Sequence, residues 1–532
     1  MSARDIIAAG NTSLGIEFGS TRIKAVLIGP DKAPLASGSH TWISRQMDGV
    51  WTYSILDIWS GLRSCYRALA ADVLERYGLV LETVGSIGIS AMMHGYMAFD
   101  KEKILLTPFR TWQNTFTSEA SEKLSALFGV NIPQRWTIAH LYQAMLKREE
   151  HLPKIDYLTT LAGYVHWRLT GFRSVGVGEG SGIFPLDPET LQYDGRMMQD
   201  FCSLPEARTL PWQLPDILPE VLPAGENAGW LTAEGARMLD SSGNLRPGIP
   251  FCPPEGDAET GMMATGCIAP RSGSVSAGTS IFSMAVLERP LSKAHPEIDL
   301  VMTPDGKQVA MVHCNNCTND LNTWAGIFTE LAEGLGADAS PDRLYTFLFQ
   351  KAMEGDSDAG GLVNYNYLSG EPVTGFQEGR PLFARIPGAR MNLSNFLRAQ
   401  LYSALAGLAI GKRLLDEEGV ELDSICGHGG FFKTPEVGAT MLASALGIPV
   451  TTVETAGEGG PWGMALLAAW LRENDSSETL PQWLQRTVFD RSPSVTCQPN
   501  GEMTEGFMRW LRRYEQGLGV EQSAVDAWKE VY

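Results

Sequence analysis

The sequence predicts an α/β protein built from two similar lobes, and three observations support this. The chain has 532 residues, which is more than one hydrophobic core usually supports, so two domains of roughly 250 residues are expected. A glycine-containing turn between two hydrophobic strands occurs at 15–21 and again at 276–280. The elements that follow the first turn are repeated in similar order after the second.

The first half begins with a strand, a tight turn and a second strand over 13–28, and a third strand is expected at 34–42. Apolar residues at helical spacing predict a helix over 56–77, which ends at Gly78. The run 84–90 has the composition of a buried strand that ends in a polar loop. The first lobe therefore starts as a β-β-α-β unit.

The second half shows the same succession. The run 274–284 is again a turn between two strand-like segments, and a long buried helix is expected over 392–415. A strand at 424–427 then enters a glycine loop. A helix is expected over 434–446, with a turn into a short strand at 447–450.

A linker-like segment separates the halves. Residues 212–254 are rich in Pro and Gly, which is typical of connecting loops or of a segment near a hinge. We expect an N-terminal lobe over 1–265 and a C-terminal lobe over 266–532. The tail from about residue 475 contains three tryptophans and is expected to form packing helices without a chemical role.

Composition excludes several classes of function. A formal net charge of -19 argues against general binding to nucleic acid or to anionic membranes, because those surfaces require clustered Lys and Arg. The start of the chain lacks a signal-peptide pattern and no apolar run is long enough to cross a bilayer, so we expect a cytoplasmic protein. The eight cysteines are scattered, and for Cys314 and Cys317 buried reduced thiols are preferred over a metal or redox pair.

The glycine turns predict nucleotide binding. Because glycine lacks a Cβ, a Gly-Ser/Thr turn lets backbone N–H groups approach phosphate oxygens closely. Gly19-Ser20-Thr21 and Gly278-Thr279-Ser280 are such turns, and Gly427 to Gly430 form a third glycine stretch. Two turns about half a chain apart suggest two lobes that hold one nucleotide.

One acidic residue is a candidate base for phosphoryl transfer. Asp257 lies between glycines near the expected lobe boundary, shortly before the second turn. Phosphoryl transfer mainly requires positioned groups and neutralised charge, with one carboxylate that takes the proton of the attacking hydroxyl. The alternative is that Asp257 only caps a helix over 258–264.

In this order, the segments resemble the FGGY family of carbohydrate kinases, within the actin and hexokinase superfamily. The resemblance runs from about residue 13 to about residue 470. It implies two actin-like (ribonuclease H-like) lobes, each a mixed β-sheet flanked by helices, with an interdomain cleft. The matching segments are Gly15 to Lys24, Ile89 to Gly95, Trp112 to Asn114, Gly256-Asp257, Ser276 to Ser280, Gly427 to Lys433 and Glu458 to Ala465.

The resemblance also implies roles for individual residues, with ATP and Mg²⁺ as cofactors. Asp257 would be the catalytic base, and Glu17 and Asp257 would hold the metal. The nucleotide contacts would be Gly19, Ser20, Thr21, Lys24, Gly278, Thr279, Ser280, Gly429, Gly430 and Lys433. The sugar contacts would be Met93, His94, Trp112, Asn114 and Asp257.

Several of these residues have ordinary structural alternatives. A histidine after a strand is more often a satisfied structural residue, and Met93 and Trp112 could belong to the core. Lys24 could equally be a solvated lysine at a strand end. The stretch Glu179 to Gly182 also matches the family pattern and is interpreted as a marker of the fold.

Two residues depart from the family pattern. Glu17 stands where the family usually has Asp, and the longer carboxylate can still contact magnesium through water. Asn114 stands where pentulose kinases usually have Asp, so the side chain there lacks the charge. Activity is still expected with these two residues.

The segment Met93-His94-Gly95 is most similar to xylulose and ribulose kinases. We therefore expect ATP-dependent phosphorylation of the terminal hydroxyl of a ketopentose, of the L-ribulose or D-xylulose type. The alternatives are a kinase for another ketose or polyol, and a sugar- or nucleotide-binding regulator with weakened turnover. An actin-like assembly protein is disfavoured because it needs no polyol site. The expected partners are a small sugar and ATP, and a homodimer is a possible assembly.

Overall fold

The computed structural model describes residues 1–453, 459–475 and 477–528. Their strands are β1 (Ser13–Phe18), β2 (Arg22–Ile28), β3 (Pro34–Thr41), β4 (Arg45–Met47), β5 (Val50–Thr52), β6 (Ser86–Ala91), β7 (Met97–Phe99), β8 (Tyr157–Thr159), β9 (Ser174–Gly176), β10 (Glu220–Leu222), β11 (Glu255–Gly256), β12 (Ser272–Ala277), β13 (Ile281–Val286), β14 (Asp299–Met302), β15 (Gln308–Cys314), β16 (Leu362–Tyr365), β17 (Leu382–Arg385), β18 (Ser424–His428), β19 (Val450–Val453) and β20 (Ser494–Cys497).

The α-helices of the same residues are α1 (Ala3–Ala8), α2 (Ile55–Tyr77), α3 (Ser118–Phe128), α4 (Thr137–Lys147), α5 (Leu161–Thr170), α6 (Val177–Ser181), α7 (Gly195–Cys202), α8 (Leu214–Ile217), α9 (Ala233–Leu239), α10 (Asp257–Thr265), α11 (Asn319–Gly334), α12 (Pro341–Met353), α13 (Leu393–Glu417), α14 (Val437–Leu446), α15 (Gly459–Glu473), α16 (Leu480–Thr487), α17 (Gly501–Gln516) and α18 (Leu518–Ala527). Short 3₁₀ helices lie at Leu152–Lys154, Ala207–Thr209, Ala359–Gly361, Pro372–Thr374, Gly430–Phe432 and Phe489–Arg491. Within the described residues, no helix is both long and apolar enough to span a membrane.

The chain folds into two compact units that are not continuous in sequence. Unit 1 contains Met1–Ala269, Leu300–Val309 and Glu458–Arg491, and unit 2 contains Pro270–Asp299, Ala310–Gly457 and Ser492–Tyr532. The expected division into 1–265 and 266–532 treats each lobe as one stretch. In the structure, unit 1 also includes the segments Leu300–Val309 and Glu458–Arg491 from the second half of the chain. The second of these segments contains helix α15.

Unit 1 is organised around a five-stranded sheet with the order β11-β6-β1-β2-β3. β1, β2 and β3 are antiparallel neighbours, whereas β6 is parallel to β1 and β11 is parallel to β6. Because parallel strands end at the same edge of a sheet, the segments that follow β1, β6 and β11 lie side by side. These segments contain Gly19, Met93 and Asp257.

Helices cover both faces of this sheet. Leu14, Ile16 and Phe18 of β1 point into a hydrophobic cluster with residues of α2 and α5. The alternate residues of β1 point to the opposite face, where Gly15 lies directly against the backbone of α15. Helix α2 begins at Ser54, whose hydroxyl accepts from the Asp57 N–H, and ends at Gly78 in the left-handed region.

Unit 2 repeats this topology. Its seven-stranded sheet has the order β14-β15-β13-β12-β18-β19-β20. β12 and β13 form an antiparallel hairpin, β18 is parallel to β12, and β19 is parallel to β18. The order β15-β13-β12-β18-β19 therefore corresponds to β3-β2-β1-β6-β11 of unit 1. The long helix α13 packs closely on β15, because a Cβ on Gly411 would lie 2.4 Å from Val312.

The tail forms helices, as the sequence predicted. Trp483 of α16 and Trp510 of α17 are buried, whereas Trp528 is 47% exposed. Cys314 and Cys317 are buried free thiols. The residues described contain no group of three or more His, Cys, Asp and Glu side chains arranged to hold a metal ion.

Candidate active site

The β1–β2 turn is held by aromatic donors beneath it. Gly19 N–H donates to the Arg22 carbonyl at 3.0 Å, which closes the hairpin. The Gly19 carbonyl accepts from Trp42 Nε1 at 2.7 Å, and the Ser20 carbonyl accepts from the Tyr53 hydroxyl at 2.6 Å. With its carbonyl groups bound in this way, the turn is a rigid loop with Thr21 exposed at its tip.

Asp257 is the first residue of α10 and follows β11 directly. Pairing of β11 with the end of β6 brings Asp257 beside Met93, whose N–H donates to Asp257 Oδ1 at 3.1 Å. Burial raises the pKa of this carboxyl to about 6, and hydrogen bonds from backbone N–H groups offset part of the rise. Asp257 remains half-buried, so it is a carboxylate at neutral pH that is more basic than an ordinary aspartate.

Glu17 is a second acidic group close to Asp257. Its side chain lies on β1 opposite Lys24 of β2, and the residue is 9% exposed. Burial and the negative charge of Asp257 raise the pKa of Glu17 to about 7, while Lys24 lowers it. A Cβ on Gly460 would lie 1.5 Å from Glu17 Oε2, so only glycine fits beside this carboxyl.

The chemistry of this acidic pair fits a magnesium ion. Mg²⁺ prefers oxygen ligands and is commonly held by one or two carboxylates together with water and substrate phosphates. The carboxylates of Glu17 and Asp257 repel each other, and a cation beside them would relieve that repulsion. A site of this kind does not need the three or more protein ligands of a closed metal centre.

His94 has a strained backbone. Its φ is 69°, and the following Gly95 has a φ of 101°. A non-glycine residue in the left-handed region is uncommon and costs on the order of 1–3 kcal/mol, a cost that concentrates at functional sites. The His94 ring is buried, stacks on Trp136 with centroids 6.2 Å apart, and has Nδ1 2.5 Å from the position of a Cβ on Gly182.

Trp112 and Asn114 have different surroundings. Trp112 is half-buried, and its Nε1 donates to Ser20 Oγ at 3.3 Å, which connects this segment to the β1–β2 turn. Asn114 is 2% exposed, accepts from Trp51 N–H at 2.8 Å and donates to the Trp51 and Thr111 carbonyls. Both the amide hydrogens and the side-chain oxygen of Asn114 therefore bind neighbouring backbone groups.

Three further carboxyls, which sequence reasoning did not identify as a group, lie beside Asp257. Glu255, Glu259 and Glu179 are at most 1% exposed. A Cβ on Gly256 would lie 2.4 Å from Glu259 Oε2 and 3.0 Å from Glu179 Oε2, so these two carboxyls converge there. Glu255 Oε2 accepts from the Glu179 N–H at 2.7 Å. A sequence signal exists, because Glu255, Asp257 and Glu259 occupy alternate positions from β11 into the start of α10.

Burial makes these three carboxyls weaker acids than exposed glutamates. It raises the pKa of Glu255 to about 8, and burial together with the neighbouring carboxylates raises the pKa of Glu179 and Glu259 well above the ordinary value. The folded protein therefore holds protons between pH 4.5 and about 8 that the unfolded chain releases. The free energy of unfolding consequently decreases as pH rises through this interval.

We expect Glu259→Gln to weaken this pH dependence. The substitution removes one buried titrating group, and each such group contributes up to about 1.4 kcal/mol per pH unit. Thermal unfolding between pH 5 and 8 should show a shallower fall in Tm, with a Tm at pH 8 about 2–4 °C above that of the unchanged protein. Glu119→Gln, at an exposed position of α3, should leave the slope unchanged. Equal slopes for both variants would contradict the assignment.

In unit 2, the β12–β13 turn is closed by Gly278 N–H, which donates to the Ser280 carbonyl at 2.9 Å. The Gly278 carbonyl accepts from the Thr318 hydroxyl at 2.7 Å, and the Thr279 carbonyl accepts from Cys317 N–H at 3.0 Å. As in unit 1, the carbonyl groups of a glycine turn are fixed by residues outside the hairpin.

A cavity of about 530 Å³ in unit 2 includes Gly430 and Lys433 in its lining, together with Tyr345 and Phe349 of α12. This volume is in the range of nucleoside-sized ligand sites. The adjacent Gly429 has a φ of 101°, and a Cβ there would lie 2.4 Å from the Ala277 carbonyl oxygen. Glycine is therefore required where β18 leaves the sheet towards this cavity.

Each unit thus brings together its own set of predicted residues. Unit 1 places the turn at Gly19, Ser20 and Thr21, the acids Glu17 and Asp257, and the segments of Met93 and Trp112 along one edge of its sheet. Unit 2 places the turn at Gly278, Thr279 and Ser280 next to the loop of Gly429. From the segment Glu458 to Ala465, residues 459–465 form the start of α15, and residue 458 lies outside the described residues.

Comparison with known proteins gives matches over most of the chain. The N-terminal domain of the FGGY family of carbohydrate kinases matches residues 12–264, and the C-terminal domain matches residues 273–472. The xylulose kinase of Haemophilus influenzae is 22% identical over 441 residues, which cover 81% of this chain and 83% of that protein.

Solved structures show the same fold. The xylulose kinase of Rhodospirillum rubrum has a TM-score of 0.76 at 19% identity and covers 96% of this chain and 98% of its own. The gluconate kinase of Lactobacillus acidophilus has a TM-score of 0.75 at 16% identity and covers 98% of both chains. Two actin-like α/β units, each with a mixed sheet flanked by helices, agree with these matches. Because the two family domains together match well over half of the sequence, the chain belongs to the FGGY family of carbohydrate kinases.

Proposed function

We propose that this protein uses ATP to phosphorylate the terminal hydroxyl of a ketopentose of the D-xylulose or L-ribulose type. The main support is Asp257, a half-buried carboxylate oriented by the Met93 N–H and with a pKa raised to about 6. General bases are most effective when their pKa lies near the working pH. Asp257 is ionised at neutral pH and yet more basic than an exposed aspartate.

In this proposal, the oxygen of the sugar hydroxyl attacks the γ-phosphorus of ATP and Asp257 accepts the hydroxyl proton. The bond from the γ-phosphorus to the β–γ bridging oxygen breaks, and ADP leaves. The β1–β2 turn at 19–21 and the β12–β13 turn at 278–280 bind phosphate oxygens through backbone N–H groups. Gly429, Gly430 and Lys433 bind adenosine. Bound magnesium would neutralise phosphate charge, and Glu17 and Asp257 are the residues that would hold it.

The sugar is assigned from the residues around Asp257. Met93, His94 and Trp112 offer an apolar surface and a ring nitrogen, which suit the carbon face and one oxygen of a small sugar. The relatives described as xylulose kinases support a ketopentose. Another ketose or a polyol is the second candidate, because the amide hydrogens of Asn114 bind backbone rather than facing a ligand.

A sugar panel tests this assignment. ADP release is measured with ATP and Mg²⁺ in the presence of D-xylulose, L-ribulose, ketohexoses, glycerol and gluconate. We expect kcat/KM for one ketopentose to exceed that for glycerol and gluconate at least 100-fold, as expected when a site is built to hydrogen-bond specific hydroxyls. A preference for a polyol or for gluconate would contradict the ketopentose assignment. Sugar binding without ADP release would instead support a regulator.

A further inference from the structure

The residues between β15 and α11, called the β15–α11 segment below, hold the carbonyl groups of the β12–β13 turn. Cys317 N–H donates to the Thr279 carbonyl at 3.0 Å, and Thr318 donates to the Gly278 carbonyl from its N–H at 3.2 Å and from its hydroxyl at 2.7 Å. Because a trans peptide unit is planar, its N–H points away from its carbonyl. The N–H groups of Thr279 and Ser280 share peptide units with these two carbonyls. They therefore point away from the β15–α11 segment, where they can donate to phosphate oxygens.

Glu371, in the loop between β16 and β17, holds the β15–α11 segment in turn. This residue is 2% exposed. Its Oε1 accepts from Asn315 N–H at 3.4 Å, and its Oε2 accepts from Asn316 N–H and from Asn316 Nδ2, both at 3.2 Å. Hydrogen bonds to an ionised acceptor are roughly twice as strong as those between neutral groups. One buried carboxylate thus fixes two consecutive backbone N–H groups directly before Cys317.

Asn316 makes the return contacts to the same loop. Its Oδ1 accepts from Leu368 N–H at 3.0 Å and from Ser369 N–H at 3.1 Å, and its Nδ2 donates to the Ser369 carbonyl at 3.2 Å. A third amide, Asn366 of the loop, donates to the Cys317 carbonyl at 3.0 Å. Buried polar groups of this kind must all be paired. Side chains, rather than a strand ladder, therefore set the position of the β15–α11 segment.

The charge of Glu371 can change near neutral pH. Burial raises the pKa of this carboxyl to about 7, and hydrogen bonds offset part of the rise. The titratable groups that face it are Cys314 of β15, Cys317, Tyr367 of the loop and Tyr514 of α17. Burial raises the pKa of each of these four groups as well, so they stay neutral between pH 6 and 8. Among these facing groups, Glu371 is the one that titrates there.

We propose that Glu371 and Asn316 are positioning residues, which hold the β12–β13 turn in the conformation that binds the phosphates of ATP. They act through Cys317 and Thr318. Because phosphate binding by this turn is part of the proposed function, the assignment rests on that function. A carboxylate offers lone pairs to all three donors of residues 315 and 316, whereas a protonated or amide side chain directs a hydrogen at one of them. Loss of the charge should therefore loosen the β15–α11 segment and, with it, the turn.

Nucleotide affinity is the first test. Glu371→Gln removes the charge and keeps the approximate shape of the side chain. We expect it to raise the dissociation constant of Mg²⁺-ADP, measured by calorimetry at pH 8, about tenfold, which corresponds to the loss of one charge-assisted hydrogen bond. KM for ATP should rise by a similar factor while kcat stays within about threefold, because the sugar and Asp257 are not affected. Asn316→Ala should act in the same direction. Glu330→Gln, at an exposed position of α11, is the matched control and should bind ADP like the unchanged protein.

The pH dependence separates positioning from a general loss of stability. The unchanged protein loses the charge of Glu371 between pH 8 and pH 6, whereas the Gln variant has no charge to lose. The two proteins should differ about tenfold in ADP affinity at pH 8 and only about twofold at pH 6, because a group with a pKa near 7 is mostly protonated there. Comparison at one pH cancels the protonation of the nucleotide itself. A variant that is merely destabilised would differ from the unchanged protein at both pH values.

Hydrogen exchange of residues 276–282 gives a second readout that needs no nucleotide. At pH 8 we expect the amides of this turn to exchange at least about fivefold faster in Glu371→Gln and in Asn316→Ala than in the control. Thermal unfolding shows whether each variant is folded, and if Glu371→Gln is not, Asn316→Ala decides the test.

Two outcomes would count against the positioning role, and they are distinguishable. If the unchanged protein binds ADP and the variants equal the control in affinity and exchange, the role of Glu371 and Asn316 is refuted while the proposed function stands. If the unchanged protein does not bind ADP, the proposed function fails and the positioning role fails with it.

Discussion

Replacing Asp257 by Asn is expected to lower kcat about 10³-fold, within the range typical for loss of a general base. Asn keeps the size of the side chain and can still accept the Met93 N–H bond, but it cannot take the proton of the sugar hydroxyl. Asp257→Glu keeps the carboxylate and moves it by one methylene, so an intermediate loss is expected. The measurement is sugar-dependent ADP release with the best substrate of the panel.

Two controls make this result specific. Tm within about 2 °C of the unchanged protein and ATP affinity within about threefold would show that the Asn variant is folded and binds nucleotide. The unchanged enzyme should also lose activity as pH falls through about 6, because the raised pKa of Asp257 means that the base becomes protonated there. An Asn variant within tenfold of full kcat would refute the role of Asp257.

The succession of the first elements in each unit was predictable from sequence. The expected helix over 56–77 corresponds to Ile55–Tyr77, and the expected helix over 392–415 corresponds to Leu393–Glu417. Both predictions succeeded because apolar residues repeat at helical spacing and because a residue with a clear local role, such as Gly78 or Asn392, marks an end of the helix. The spacing of apolar residues was therefore sufficient to predict helices that bury one face.

Long-range contacts were not predictable in the same way. The sequence gives no local sign that α15 packs on the sheet of unit 1, since its apolar residues would suit either half of the protein. The hydrogen bonds between the Asn114 side chain and the backbone of Trp51 had no local sign in the sequence. Burial of Glu179, Glu255 and Glu259 was also missed, because acidic residues near a helix start are usually exposed groups that interact with the helix dipole.

The contact between β1 and α15 leads to the second large effect, which concerns stability. A Cβ on Gly15 would lie 2.0 Å from the Pro461 carbonyl oxygen and 2.4 Å from the Ala465 backbone nitrogen. Backbone atoms cannot rotate away as a side chain can, so α15 must shift outward from the sheet. Gly15→Ala is therefore expected to lower the free energy of unfolding by about 3 kcal/mol, at the upper end of ordinary overpacking.

Local propensity predicts the opposite sign, which makes this substitution informative. Alanine is favoured over glycine in a strand by roughly 0.5–1 kcal/mol, so a Gly15 without this contact would become more stable as Ala. Gly195→Ala is the matched control, because no atom lies within 4 Å of its added Cβ, and its Tm should change by less than about 2 °C. A fall in Tm of at least about 5 °C for Gly15→Ala alone is expected. Equal Tm values for the two variants would show that α15 does not approach β1 as closely as described. The close contact of Gly460 with Glu17 would then also lose its support, because Gly460 belongs to α15.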